Sequence, residues 1–573
     1  MNAEGLPRRD SFRATLLASA GLGAAIGLCF PTAHVAIEPA QVLAGLVHYA
    51  PDDPFGLYER RVWTIWHQLL APLLAAGVPE RALCFALSGA IGALGFAALA
   101  AFAWACGAPF LPAVAAPLFL WMLDPIRWGF RYPILLLGSP HTYGMSGLAW
   151  MVLAVSVLAA GRARLGAFLL AMGPAVHPSL GLWVGIATVV CLLVDWPRTR
   201  AQLPDLLRGG GLGVTVAALS LAVHLAGQTP GPVADPAEIE RHMNAYFRDW
   251  DGHRGAITLF DWNGAVLAVG VAIALQGIVR AGSLASVLAF RVYVACALLG
   301  VAFVALHRDV PVGVLPTALL AAMPTRVLNL PMIAFVPLLV AAFSVRRDRA
   351  IARWAVLVLG AAALLRYRAP ELVRGAVFAL GLLALTLLAR PSPRDAGSGH
   401  EPRSGGVLER TVQTALAIAI AVALLATAWG LPRRASRLLD RSNEPVLAAA
   451  AQRSGGLLVA PGLARMQLAT RRPLVLDPSA IDMLPYAPSG GPAVARILGE
   501  VYGVDFFAPP HSMRNLAEVA PGPVRPVWAK RDAAQWSDLA RRHAFEDVIA
   551  PPDWKLALPE VARSDFAVLY RVP

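Results

Sequence analysis

Long apolar runs broken by short polar stretches give this chain its rhythm. After PRRDSFR (7–13), a run to about residue 33 opens the series. Further runs fall near 82–106, 108–124, 145–160, 209–226, 264–279, 283–305, 352–365, 373–389 and 411–429, with one more between MPTRVLNLP (323–331) and VRRDRAIAR (345–353). Residues 165–194 are also apolar but are broken by GPAVHPSLG (173–181), which predicts two short crossings or a kinked hairpin with His177 at its outer turn. Runs of about 17–25 residues each suffice to cross a hydrocarbon core about 30 Å thick. The pattern predicts a polytopic α-helical membrane protein of about 13 spans. A closed barrel would alternate apolar and polar residues at every second position, and these runs do not. The first run reads as a retained span rather than a cleaved signal, since no A-x-A site follows it and many spans do.

Past residue 430 the period changes. GGLLVAP (455–461), RPLVLDP (472–478), VDFFAPP (504–510), EDVIAPP (546–552) and DFAVLYRVP (565–573) are short strand-like runs closed by turns. PAVARILGEVYG (492–503) and AAQWSDLARRHAF (533–545) read as helices between them. Strands alternating with helices predict a small α/β domain with a partly parallel sheet. Two units are expected: a membrane domain over 1–430 and a soluble domain over 431–573. The latter carries no Gly-rich phosphate loop and no Ser-His-Asp signature.

Composition sharpens this division. Of 573 residues, 57% are hydrophobic and 15% charged, where a soluble chain has about a quarter charged. The formal charge of +13 lies mostly in the membrane part and is nearly all arginine, which suits anionic lipid or lipid phosphate and argues against nucleic acid. The five cysteines sit in or beside apolar runs and form no CxxC pair. Arginine clusters at PRRDSFR, GRAR (161–164), DWPRTR (195–200) and VRRDRAIAR, with the linker at 391–406, predict the cytoplasmic side. On that topology the C-terminal domain lies in the periplasm of a bacterial inner membrane, and all histidines but His400 fall on the outer side.

Polar residues concentrate at 34–68, HVAIEPAQVLAGLVHYAPDDPFGLYERRVWTIWHQ, directly after the first span. Here Glu38, Asp52 and Asp53 are candidate general bases, because a carboxylate partly withdrawn from water suits proton abstraction. Pro51 and Pro54 around the aspartates equally fit an ordinary turn. His48 and His67 belong to the same stretch. Residues 55–75 predict a helix lying in the interface, with Trp63 and Trp66 on one face and His67 beside Trp63. Arg326 in PTRVLN, before a late span, has the planar fork that suits a phosphate, with Arg127, Arg131 and Arg254 behind it. His177, His141 and His253 are further candidate contacts in outer segments. Asp, Glu and His together are compatible with a divalent cation, although no ligand spacing calls for one.

HVAIEPAQVLAGLVHYAPDDPF after the first span, and MPTRVLN before a late one, resemble the GT-C class of integral membrane glycosyltransferases. That resemblance implies transfer of a sugar from a polyprenyl-phosphate carrier to a glycan, lipid or protein acceptor on the outer face, within membrane lipid. It implies an acidic catalytic residue in the first outer loop, and a soluble periplasmic domain as many members have. The usual paired Asp-Glu at the loop start is absent; Glu38 stands alone, with Asp52 and Asp53 about a dozen residues later. The alternative is a non-catalytic scaffold or transport component of envelope polysaccharide assembly. A secondary transporter would show two related halves with matching broken helices, and the sequence has a single broken hairpin.

Overall fold

The computed structural model describes residues 8–123, 129–130, 136–228, 235–252, 257–280, 284–345, 370–389 and 427–573, together with Val358, Leu424 and Leu425. Apolar sequence in lipid must satisfy its own backbone polar groups, so it winds into helices. Among the described residues, eight helices are long and apolar enough to cross a membrane: Ser11–Leu28, Glu80–Ala105, Thr142–Ala159, Trp196–Ala226, Trp262–Val279, Val287–Asp309, Thr317–Ser344 and Glu371–Leu388. Four shorter apolar helices accompany them: Ile65–Ala75, Phe110–Leu123, Ala163–Val176 and Pro178–Val194. The expected spans at 352–365 and 411–429 lie almost wholly outside the described residues.

Close helix approach inside the bundle depends on small residues. The helices α1 (Arg8–Leu28) and α5 (Glu80–Ala105) touch backbone to backbone: a Cβ on Gly23 would lie 2.2 Å from the Gly92 carbonyl oxygen. Such contacts let dispersion and backbone packing hold helices together where lipid supplies no hydrophobic drive. The broken run resolves as a tight hairpin, Ala163–Val176 and Pro178–Val194, reversing at His177. There Nδ1 of His177 accepts from the Leu180 amide at 3.3 Å, capping the second helix. The ring is buried, and Gly147 on the helix Thr142–Ala159 leaves room for it, since a Cβ there would fall 2.4 Å from His177 Cβ.

The segment after the first span departs from expectation. Instead of one interfacial helix over 55–75 there are two, α3 (Pro54–Arg61) and α4 (Ile65–Ala75), preceded by α2 (Ile37–Leu43). Val62 turns extended, and Thr64 caps α4 by accepting from the Trp66 amide. Trp63 and Trp66 therefore do not share a helical face. Their indole nitrogens donate to Ser220 at 3.1 Å and to Ser146 at 2.9 Å, on two different helices of the bundle.

Residues past 440 fold around a four-stranded sheet in the order β1-β2-β4-β3, where β1 is Gly456–Val459, β2 Phe545–Ala550, β3 Glu560–Arg563 and β4 Val568–Arg571. β1 and β2 are parallel and the other pairs antiparallel, so the sheet is mixed. Two expected strands do not form. At 472–478 a single parallel bridge, Leu457 to Leu474, survives between Pro473 and Pro478. At 504–510 the Phe506 carbonyl accepts from the Trp250 indole at 2.8 Å and the Asp505 side chain turns back to the Phe507 amide, while Pro509 and Pro510 donate nothing. Helix Ala533–His543 starts with a full capping box between Asp532 and Gln535.

This domain does not own its core. Val47, Tyr49, Phe55, Met243, Tyr246, Phe247, Trp250, Leu315 and Leu320, all from segments between bundle helices, pack into the same cluster as Leu458, Ile497, Trp528 and Ile549. The connecting segments at one end of the bundle and the C-terminal domain are thus one packed body.

Candidate functional site

The junction is built on a short clip, Arg465 to Arg471, that frames the helix Met466–Thr470. Both arginines are left-handed, with φ of 62° and 57°. Such conformations cost a non-glycine residue about 1–3 kcal/mol and persist only where surrounding contacts over-determine them. Those contacts are present. Arg465 Nη1 meets Glu38 Oε2 at 2.7 Å, the Leu468 amide points at Glu38 Oε1 at 3.4 Å, and Gln467 Nε2 donates to the Glu38 carbonyl at 2.8 Å. At the other end Arg471 pairs with Glu80, which also takes Arg441 at 2.7 Å and the Gln41 amide at 3.0 Å. Tyr49 bridges the two units as well, donating to Gln467 Oε1 and accepting from the Leu474 amide at 3.1 Å.

Beside Arg465 three carboxylates converge. Glu38, Glu59 and Asp477 are 1%, 3% and 1% exposed. Glu59 lies buried on α3, four residues after buried Phe55, and feels Glu38, Arg465 and Asp477. Burial raises the Glu38 carboxyl, with Arg465 pulling it back and Asp477 pushing it up. Burial raises Glu59 well above the usual carboxylate range, and the neighbouring Glu38 adds to this. Among the described residues no hydrogen-bond partner reaches Glu59 Oε2 or Asp477 Oδ2. Buried acceptors left open in this way are costly and call for a partner.

A partly exposed rim surrounds this wall. Tyr58 and Tyr486 lie with ring centroids 5.9 Å apart and planes tilted by 56°, and Tyr143 lies within electrostatic reach of Glu59, Glu38 and Arg465. His67, buried in α4, holds the Tyr143 hydroxyl at 2.6 Å. His141 meets solvent at its surface, with protein packed around much of the side chain. Those surroundings lower its basicity, Arg465 and Arg326 lower it further, and Asp482 opposes them. Arg326 stands on the 3-10 turn Pro324–Leu328, half-buried and within reach of both His141 and His177. Buried carboxyls, Arg465 and Tyr143 thus lie within electrostatic reach of one another, with Arg326 joined to them through His141.

Of the residues singled out in the sequence, Glu38, His141, Arg326 and His177 are drawn toward this junction, and His67 supports it through Tyr143. Asp53 is engaged elsewhere: its Oδ1 accepts from the Gly56 amide at 2.8 Å and caps α3, with Pro54 at the first helical position. Burial lifts its carboxyl to about 7, while the Gly56 and Phe55 amides pull it down. Asp52 and His48 are exposed. Arg127, Arg131, His253 and Arg254 lie outside the described residues. Among the described residues, no group of three or more His, Cys, Asp or Glu is placed to hold a metal ion.

Sequence reasoning passed over Glu59, Arg465, Asp477, Asp482 and the three tyrosines. Glu59 did leave a signal, an acid four residues after Phe55 on the apolar face of a short helix. Arg465 and Asp477 left none, because LARMQ and LDP read as ordinary turns of a soluble domain. No family model matches the chain, and neither does any curated protein or solved structure.

Proposed function

We propose that this chain is a membrane glycosyltransferase that moves a sugar from a polyprenyl-phosphate carrier to an acceptor at the junction of bundle and C-terminal domain. The observation that carries the reading is the burial of Glu38 and Glu59 beside Arg465, with the exposed His141 within reach of both Arg465 and Arg326. In such a transfer the acceptor hydroxyl attacks the anomeric carbon, the carrier phosphate leaves with the bonding electrons, and a base takes the hydroxyl proton. A carboxyl raised toward neutrality is a better base there than one of ordinary acidity. Glu59, whose Oε2 is open, fits that role better than Glu38, which is held by Arg465. Arg326 is suited to the leaving phosphate.

The test is transfer of labelled sugar from a polyprenyl-phosphate donor by the purified full-length protein. Glu59→Gln is expected to lose about a hundred- to ten-thousand-fold in rate. Full activity in both Glu59→Gln and Glu38→Gln would refute the assignment. One observation favours a non-catalytic scaffold instead: Glu38 is locked by Arg465 and Gln467 in a docking geometry. In that case no transfer is seen, and only domain docking responds to these changes.

The proposal places the junction in the periplasm of a bacterial inner membrane, with the arginine-rich segments inside and about 13 spans in all. An impermeant thiol reagent applied to spheroplasts should label Ala534→Cys on the C-terminal domain and spare Ser398→Cys in the linker. The reverse labelling would place the domain in the cytoplasm.

A further inference from the structure

The short helix Leu431–Ser436 stands where the membrane part gives way to the C-terminal domain, and it is fixed to the ends of two spans. Arg434 Nε donates to the Cys29 carbonyl at 2.5 Å, and its guanidinium lies 4.1 Å from the centroid of the Phe30 ring, just past the end of α1. Arg81, at the start of α5, donates to the Ala435 carbonyl at 2.7 Å and the Leu438 carbonyl at 2.9 Å. These bonds hold the helix at the level where the first span ends, which is the headgroup layer of a bilayer around that span. Gly430 and Arg437, on either side of it, are also right-handed helical, so helical spacing runs unbroken from 430 to 437. Trp429, Arg433 and Arg437 recur at every fourth residue and share one face.

That face is open. Trp429 is 91% exposed, and Arg433 and Arg437 are exposed beyond it. Among the described residues neither arginine makes a side-chain hydrogen bond or an ion pair, whereas Arg434 between them is spent on the Cys29 and Thr427 carbonyls. We propose that Trp429, Arg433 and Arg437 bind the headgroup of an anionic phospholipid at this membrane boundary. The inference stands apart from the transferase reading. An indole suits the boundary, because its ring is apolar and its N–H takes a polar partner. The guanidiniums one and two turns further on meet phosphate oxygens, to which each planar fork can give two hydrogen bonds. Leu425, four residues before Trp429 and 70% exposed, continues the series toward the acyl chains. Leucine, tryptophan, arginine, arginine at this spacing follow the change from hydrocarbon to phosphate. A merely solvated face, or one for an acidic protein, accounts for the arginines but leaves the indole in water.

The experiment measures equilibrium binding of fluorescent phosphatidylglycerol to delipidated full-length protein in nonionic detergent. Phosphatidylcholine is the zwitterionic counterpart and inorganic phosphate the competitor. Phosphatidylglycerol should bind about tenfold or more tighter than phosphatidylcholine, since each arginine near a lipid surface adds to the attraction for anionic headgroups. Arg433→Gln/Arg437→Gln should remove about that tenfold preference, and Trp429→Ala should weaken the binding of both lipids. These positions are exposed, so the substitutions do not threaten folding. Arg496→Gln/Arg541→Gln removes the same charge from exposed positions of the C-terminal domain and should leave lipid binding unchanged. Equal affinity for the two lipids, indifference to Arg433→Gln/Arg437→Gln or to Trp429→Ala, or an equal loss in the control variant overturns the proposal. Displacement of the lipid by inorganic phosphate at matching concentration would show a free-anion site and overturn it as well.

Discussion

Two buried glutamates meet the same seven-residue clip, and they are treated differently. Glu80 is 6% exposed and receives two arginines and the Gln41 amide, so both of its oxygens are answered by donors. Glu38 receives a single arginine, Arg465, with the Leu468 amide at its other oxygen, and shares that arginine with Glu59 and Asp477. The first arrangement is an anchor, in which positive charge exceeds negative and every donor is directed at one carboxylate. The second has a deficit of cations and open acceptors. A protein that only needed to hold its domain in place would gain from repeating the Glu80 solution. That solution is not repeated at the other end of the clip, and the proposed function rests on this difference.

The comparison breaks most sharply at Arg465. Removing it leaves three buried acids without their close cation, and breaking a buried pair typically costs about 3–5 kcal/mol. Arg465→Ala should therefore lower thermal stability by about that amount at pH 8, measured on detergent-purified protein, and by less at pH 5, where the Glu38 and Glu59 carboxyls, raised by burial, are protonated to a greater extent. A loss equal at both pH values would mean the cluster carries no surplus charge.

Glu80→Ala comes next, at about 3 kcal/mol, the low end because Arg471 and Arg441 are about a third exposed and can turn to water. Protease should then release the C-terminal domain more readily. Release should be no faster at pH 8 than at pH 6 if Glu80 is an anchor with its charge already met.

Glu59→Gln should act with the opposite sign. The Glu59 carboxyl is raised in the folded state, so its contribution is fully present below the unfolded value of about 4.3 and is lost as pH rises through the folded one. The amide mimics the protonated acid at every pH. The variant should gain about 1 kcal/mol over wild type at pH 8 and nothing at pH 4, seen as a flatter curve of melting temperature against pH. A loss at pH 8 would show that Glu59 is ionised and paired.

The smallest effects sharpen the picture at the Pro-Asp-Asp-Pro turn. Asp53→Ala removes the cap of α3 and should cost about 1 kcal/mol. Asp52→Ala, at an exposed position, should stay within about 0.5 kcal/mol and leave transfer untouched.

The apolar runs were enough to place the helices, because chain that must satisfy its own hydrogen bonds in lipid has few alternatives. The reversal at His177 was legible for a related reason, Pro178 having no amide hydrogen with which to extend the helix before it. In the C-terminal domain local pattern misled at 504–510, where alternating residues were taken up by Trp250 and an Asp505 turn rather than by a strand neighbour. The importance of the stretch after the first span was visible in its composition, but its internal roles were not. Asp52 and Asp53 looked as promising as Glu38, and Glu59 was passed over.

What the sequence determined by itself is whatever depends on near neighbours: helical spans, the capped start of α3, the change to a mixed α/β domain. What tertiary structure alone decided is the fate of each charge. Glu59 and Asp477 matter because they are buried beside one shared arginine, and Arg465 reaches Glu38 only through a left-handed turn in a domain more than 400 residues further along the chain. Burial and pairing fix whether a carboxylate is solvated, neutralised or left open, and both are properties of the packed junction.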